Sequence, residues 1–200
     1  MENTHSPHEK FRCFGNTPLY ADYHDHEWGR PVHDDGKLFE MLILEGMQAG
    51  LSWETVLKKR EAFREAFDGF DPRKVALYDG AKIAALLSNA GIIRNRLKIN
   101  AAVTNARLFL EIAEKHGSFD QFIWSYVGNT PIVGHWEGFE HMPVTTPVSD
   151  KISKDLKKLG FKFVGSTIIY SFMQAVGMVN DHLTRCFVYQ ESAFVSSLRA

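Results

Sequence analysis

Leu44-Glu45-Gly46-Met47-Gln48-Ala49-Gly50-Leu51-Ser52-Trp53 is the stretch whose reading decides the fold. Leu38, Phe39, Leu42 and Ile43 precede it at helical spacing, which predicts a helix over 34–49, capped by Asp34 or Asp35, with its apolar face inward. Glu45 follows Met41 and Leu42 by one turn, toward that same face. Burying an ionised carboxylate costs roughly several kcal/mol unless something pairs with it. Two readings of Glu45 therefore stand: a solvated helix terminus, or a carboxylate set there for a polar ligand. Gly46 and Gly50 bracket a sharp connection and Leu51 stands at its tip. Ser52 caps a second helix that Trp53, Val56, Leu57, Phe63 and Phe67 carry to residue 67.

Downstream the pattern stays helical almost throughout. Asp71-Pro72 places a cap and a first-turn proline at the start of a short helix. A further helix is expected over 81–89 with Gly91 as its stop, and a long one over 94–115 with Leu97, Ala101, Leu108 and Ile112 on one stripe. Another short helix covers 119–127. Residues 128–148, with Pro131, Gly134, Gly138, Pro143 and Pro147, read as one extended loop, and no alternation demands a sheet. Ser149-Asp150 then caps a basic helix over 151–159, Gly160 to Gly165 form a tight connection, and an apolar helix runs to Val176. Such a hairpin can offer backbone N–H groups at the start of its second helix to a phosphate, with Lys154, Lys157, Lys158 and Lys162 supplying local positive charge. An ordinary helical hairpin with a solvated lysine face has the same pattern.

Length and composition bound the rest. At 200 residues and 44% hydrophobic content, the chain can bury a full core as one domain, or one domain with a small lobe. No apolar run approaches the roughly 20 residues that span a bilayer, and the polar start is unlike a signal peptide. A cytosolic location without membrane attachment is expected. Lys plus Arg (23) nearly balances Asp plus Glu (24), so any nucleic-acid surface has to be a local patch. Residues 1–12, including His5 and His8, are expected to be a disordered tail, and 191–200 form the C-terminal tail.

The two cysteines, Cys13 and Cys186, stand at opposite ends of a chain expected in a reducing compartment. In a helical segment His182 and Cys186 would share one face a turn apart, and Cys13 and His24 complete a Cys2His2 set. Four such ligands with no vacancy fit structural, tetrahedral zinc clipping the chain's two ends together. Free thiols and surface histidines are the alternative. Around Cys13, Tyr20, Tyr23 and Trp28 supply aromatic rings with polar tips, a composition suited to a pocket or an interface.

Several pieces together resemble one family: Pro18-Leu19-Tyr20, Tyr23-His24-Asp25 with Glu27-Trp28-Gly29, the Leu44 to Trp53 stretch, Gly91-Ile92-Ile93-Arg94 and Gly160-Phe161-Lys162-Phe163-Val164-Gly165. They are similar to the 3-methyladenine DNA glycosylase I family of bacteria, from about Cys13 to Cys186. The resemblance implies an all-α, two-lobed helix-hairpin-helix DNA glycosylase fold over 13–190, with DNA and the base site between the lobes. It implies the hairpin at Gly160 to Gly165 and structural Zn2+ on Cys13, His24, His182 and Cys186. It places Glu45 in the base pocket with Tyr20, Tyr23, Trp28 and Trp53 as walls, and Asn180 where most of the superfamily carries an aspartate. Phe14 stands near a position where the family often has tryptophan.

The implied activity is release of 3-methyladenine from alkylated double-stranded DNA by a monomer in the bacterial cytosol. N3-methylation makes the base cationic and a good leaving group, so recognition carries most of the work. Glu45 would oppose that charge, the aromatics would stack on the base, and Gly50-Leu51 would fill the gap left by the flipped nucleotide, unless Leu51 is core. Gly50, Leu51, Lys162, Gly165 and Ser166 are the expected DNA contacts. The rival readings are a damage-binding module without catalysis and a zinc hydrolase, which would need an open metal position.

Overall fold

The computed structural model describes residues 10–189 and 191; residues 1–9, with His5 and His8, and 192–200 lie outside them, so the expected tails are described only at their inner edges. At those edges the chain ends meet. The Phe187 N–H donates to the Phe11 carbonyl at 3.1 Å, Arg12 grips Asp25 through two nitrogens at 2.8 Å, and Lys10 pairs with Glu191 at 3.2 Å.

Helix α1 (Pro18–His26) starts on a Thr17 cap. Helix α2 (Asp35–Gln48) starts where Asp34 accepts from the Lys37 N–H at 2.8 Å. Every residue of α2 from Leu38 to Met47 is buried. A helix surrounded on all sides is the axis of its core, and α2 packs against α3 (Trp53–Lys58), α7 (Arg96–His116), α8 (Phe119–Trp124) and α10 (Ser166–Ala175). Phe39 of α2 meets Phe109 of α7 edge-on at 5.2 Å, and Phe109 stacks on Phe119 of α8 at 4.1 Å. Each such side chain contributes about 1.5–3 kcal/mol through burial.

The second expected helix is two. It breaks at Lys59 into α3 and α4 (Arg60–Ala66). The break turns Arg60 inward, where it bonds Glu27 at 2.8 Å and Glu40 at 2.6 Å, a tertiary demand that periodicity does not show. Helices α5 (Pro72–Val75) and α6 (Gly80–Ser88) follow. α6 ends at Asn89, not at Gly91, and Gly91 instead allows close packing: a Cβ there would stand 3.0 Å from that of Ala62. On α7, Ala101 and Ile112 are buried but Leu97 is 71% exposed, because the first turn points Lys98 and Ile99 inward instead.

The stretch 128–148 is not wholly irregular. β1 (Ile132–Val133) pairs in parallel with β2 (Val179–Asn180), Ile132 opposite Val179, which satisfies the buried backbone that follows α10. Helix α9 (Pro147–Leu159) starts earlier than expected. Thr146 is its cap, Pro147 takes the first turn, and Ser149 completes a capping box as the third residue. Gly160, at φ +104°, ends α9 and opens the hairpin into α10.

Asn105 of α7 clamps that hairpin. Its Oδ1 accepts from the Lys162 N–H and its Nδ2 donates to the Lys162 carbonyl, both at 2.9 Å. Asn105→Ala removes both bonds and strands two backbone groups, so urea denaturation should show a loss of about 2 kcal/mol.

Candidate active site and metal centre

Two carboxylates are buried on α2, and only one is answered. Glu40 accepts from Arg60 at 2.6 Å and Arg64 at 2.9 Å. Glu45 is 3% exposed, and its Oε2 has no hydrogen-bond partner among the described residues. Burial pushes the Glu45 carboxyl up to about 8, because desolvation disfavours the charged form and nothing nearby offsets it. The solvated-terminus reading of Glu45 is thereby excluded. The indole Nε1 of Trp53 is a second buried polar atom without a partner. Orphaned polar atoms of this kind are rare in folded interiors, and here an acceptor and a donor lie on consecutive helices.

Glu45 looks into a cleft of about 170 Å³. One side is Gln48, Ala49, Gly50 and Leu51; the other is Thr167, Ile168 and Ser171 at the start of α10. Sequence reasoning does not single out Thr167 and Ser171, because their hydroxyls share α10 with those of Ser166 and Tyr170 and no spacing sets them apart. Gly50 adopts φ +81° and Leu51 is 44% exposed. Leu51 is therefore not core. The turn is held from α7: the buried Lys98 ammonium donates to the carbonyls of Met47 at 2.8 Å and Ala49 at 2.7 Å, where the helix end favours a cation.

The aromatic residues divide between two places. Tyr23 faces Tyr20 at 6.4 Å, nearly parallel, and Trp53 at 5.4 Å. Burial first, then the Glu45 and Glu27 carboxylates, push the Tyr23 phenol up, and burial followed by Glu54 and Glu45 raises Tyr20. The Tyr20 and Tyr23 phenols thus feel the Glu45 charge, and Trp53 joins them through Tyr23. Trp28 packs instead edge-on to His182 at 4.6 Å, against the histidine–cysteine cluster. Phe14 bridges the two groups, 4.8 Å from Tyr20 and 4.9 Å from Trp28.

Cys13, His24, His182 and Cys186 converge, their ligand atoms all within 4.8 Å of one another. Residues 182–186 form an irregular turn, not a helix; the Thr184 N–H is drawn to the Trp136 carbonyl at 2.9 Å and the Cys186 N–H to that of Leu183 at 2.7 Å. Even so, Cys186 Sγ lies 3.4 Å from His24 Nε2 and 3.6 Å from His182 Nδ1. The remaining ring nitrogens are held from outside, His24 Nδ1 by Asp25 at 2.8 Å and His182 Nε2 by the Trp28 carbonyl at 3.0 Å. A hydrogen bond from the Cys13 thiol holds Cys186 low and Cys13 high. The group is able to hold a metal ion.

In the hairpin, the Lys162 N–H is already taken by Asn105. The start of α10 is different: Gly165 precedes it without a side-chain cap, and space around its Cα is open. Ser166 turns its hydroxyl to Ser149 and Asp150.

The model of the methyladenine glycosylase family matches residues 13–189. The chain belongs to that family. DNA-3-methyladenine glycosylase 1 of Escherichia coli is 53% identical over 172 residues, covering 86% of this chain and 92% of the relative. The Haemophilus influenzae DNA-3-methyladenine glycosylase is 50% identical over 177 residues, 88% of this chain and 96% of its own. A crystal structure of 3-methyladenine DNA glycosylase I superposes with a TM-score of 0.86 at 52% identity, covering 88% of this chain and 98% of that one. A Staphylococcus aureus structure described as showing the basis of 3-methyladenine recognition gives 0.85 at 40% identity, over 88% and 93%.

The environment of Glu45 makes stability depend on pH. Its folded pKa of about 8 exceeds the ordinary 4.5, so the folded state keeps a proton that the unfolded chain releases, and stability falls as pH rises between those values. Glu45→Gln should match the wild type near pH 4.5 and become more stable toward pH 8, by on the order of a few kcal/mol. Thermal melts at both ends of the window check this.

Proposed function

We propose that the chain is a base-excision repair enzyme that hydrolyses the N-glycosidic bond of 3-methyladenine in alkylated double-stranded DNA. The observation that carries the proposed role of Glu45 is its buried, unanswered oxygen beside the cleft and the Tyr20, Tyr23 and Trp53 rings. The flipped base is cationic and brings an exocyclic amine, so it supplies both the charge and the hydrogen bond that Glu45 lacks. Normal adenine brings no charge. Extrusion costs roughly a few kcal/mol, and stacking returns about 1–3 kcal/mol per base. Leu51, exposed at the tip, fills the vacated stack. Trp28 supports this wall through Phe14 and the metal centre.

In the chemical step the C1′–N9 bond breaks and its electron pair neutralises the base cation. Water adds its oxygen to C1′ and loses a proton. A carboxylate for activating that water is not offered by the 180–181 segment: Asn180 holds the superfamily position, and the adjacent Asp181 accepts from Trp136 at 2.7 Å, Gln174 at 2.8 Å and Tyr170. Leaving-group charge makes strong assistance unnecessary, and Glu45 opposes the developing positive charge on the sugar as the base becomes neutral.

The fold reading that goes with this function is the two-lobed helix-hairpin-helix arrangement. Lys162, the backbone of Gly165 and Ser166 and the open start of α10 grip phosphate. Zinc is the metal that suits the cluster. Tetrahedral zinc with sulfur and nitrogen ligands requires donor separations of roughly 3.3–3.8 Å; Cys186 Sγ lies 3.4 Å from His24 Nε2 and 3.6 Å from His182 Nδ1, and Cys13 Sγ lies 3.7 Å from His182 Nδ1. Bound there, zinc would clip residues 13–24 to 182–186; with all four positions filled it has no place for substrate. A monomer in the cytosol completes the reading.

Base release from methylated duplex DNA, with the freed bases separated by chromatography, tests the function. The wild type should release 3-methyladenine; Glu45→Gln should retain its fold and lose at least about tenfold in rate, or about 1.4 kcal/mol of transition-state stabilisation. Full activity in that variant would remove Glu45 from the mechanism, and lesion binding without release would favour a damage-binding module. Leu51→Ala should weaken lesion-duplex binding with little change in melting temperature. Chelation should lower the melting temperature together with activity, since a structural ion contributes to folding.

A further inference from the structure

Arg94, just before α7, and Arg96, its first residue, are two arginines that the protein itself does not use. Arg94 and Arg96 are exposed, and neither has an ion pair or hydrogen bond with a described residue. Several other cations are answered by carboxylates: Arg60 and Arg64 by Glu40, Lys58 by Glu54, Lys82 by Asp68 and Lys151 by Asp155. In a chain of net charge -1, two adjacent unanswered guanidinium groups make a local positive field.

Their frame is rigid. Lys59 Nζ donates to the carbonyls of Ala90 and Gly91, both at 3.1 Å. The Gly91 N–H bonds Asn89 at 2.8 Å, and Ile92 is buried. Asn95 caps α7 by accepting from the Leu97 and Lys98 N–H groups at 3.0 and 3.2 Å. The frame also sits beside the base cleft, because Lys98, two residues past Arg96, bonds the Met47 and Ala49 carbonyls immediately before the Gly50–Leu51 tip. Leu97, between Arg96 and Lys98, is itself 71% exposed, so this face of the α7 start is open to a partner.

We propose that Arg94 and Arg96 form a second phosphate-binding patch beside the Gly50–Leu51 tip, gripping the DNA backbone independently of the Gly160–Gly165 hairpin. The inference rests on the glycosylase reading. A tip that enters the stack has to be pressed against the duplex while the nucleotide swings out, and guanidinium groups fixed next to it hold the flanking backbone during extrusion. Arginine suits this because its planar fork matches phosphate oxygens and keeps its charge.

The test is binding to a duplex carrying an uncleavable tetrahydrofuran abasic site, measured by fluorescence anisotropy across a salt series. The Arg94→Gln/Arg96→Gln double variant should bind more weakly at each salt concentration, with a log–log salt slope shallower by about 2, near 0.9 for each phosphate no longer neutralised. Its melting temperature and its affinity for free 3-methyladenine should match the wild type, and Arg94→Lys/Arg96→Lys should keep the steep slope. An unchanged slope in the glutamine variant, or parallel loss of free-base affinity, overturns the inference. Failure of the wild type to bind the duplex would overturn the glycosylase reading itself, so the two failures are distinguishable.

Discussion

The structure depends on one unsatisfied interaction, a carboxylate placed in the most buried helix with nothing to pair it. Glu45 lies on α2 five residues from Glu40, and the two show what the fold can do with a buried acid. Glu40 receives two arginines and ties α2 to α4. Glu45 receives none, at a cost that a stability-driven design would remove. On the proposed function its persistence has a reason: the missing partner would arrive with the cationic base, and local instability in the free protein would become selectivity in the complex.

Around that residue the architecture places each element by ordinary packing and capping. α2 ends where Lys98 collects its last carbonyls, so the tip that follows has a fixed starting point. α10 begins across the cleft with an uncapped first turn. α7 braces both, through Lys98 at the tip and Asn105 at the hairpin. The cysteine–histidine cluster draws residues 13–24 and 182–186 together and supports Trp28, which reaches the Tyr20 ring by way of Phe14. The cluster thus stands beside Trp28 and Phe14, and none of its four residues lines the cleft.

Much of this is legible in the residues. The caps at Asp34, Ser52 and Asp71, the hairpin glycines and the pairing of Cys13, His24, His182 and Cys186 all have local chemistry that survives folding. What the residues alone do not show is set by distant partners. The break at Lys59 follows from the pull of Glu27 and Glu40 on Arg60; the short β1–β2 pairing follows from buried backbone after α10; residues 182–186 leave the helix because Trp136 takes a backbone donor. The cleft side formed by Thr167 and Ser171 is hidden for a related reason: two of several hydroxyls on α10 acquire meaning only once another element faces them. Glu45 itself is ambiguous from sequence, since one turn of helix separates a solvated end from a buried one.

The most direct measurement of the central claim is carbon-13 NMR of the Glu45 side-chain carboxyl, titrated with and without 3-methyladenine. The account predicts a midpoint near 8 in the free protein, matching the value to which burial pushes it, and a clear fall when the base is bound, because a hydrogen-bonded carboxylate favours its charged form. A midpoint in the ordinary glutamate range that the base leaves unmoved would contradict it.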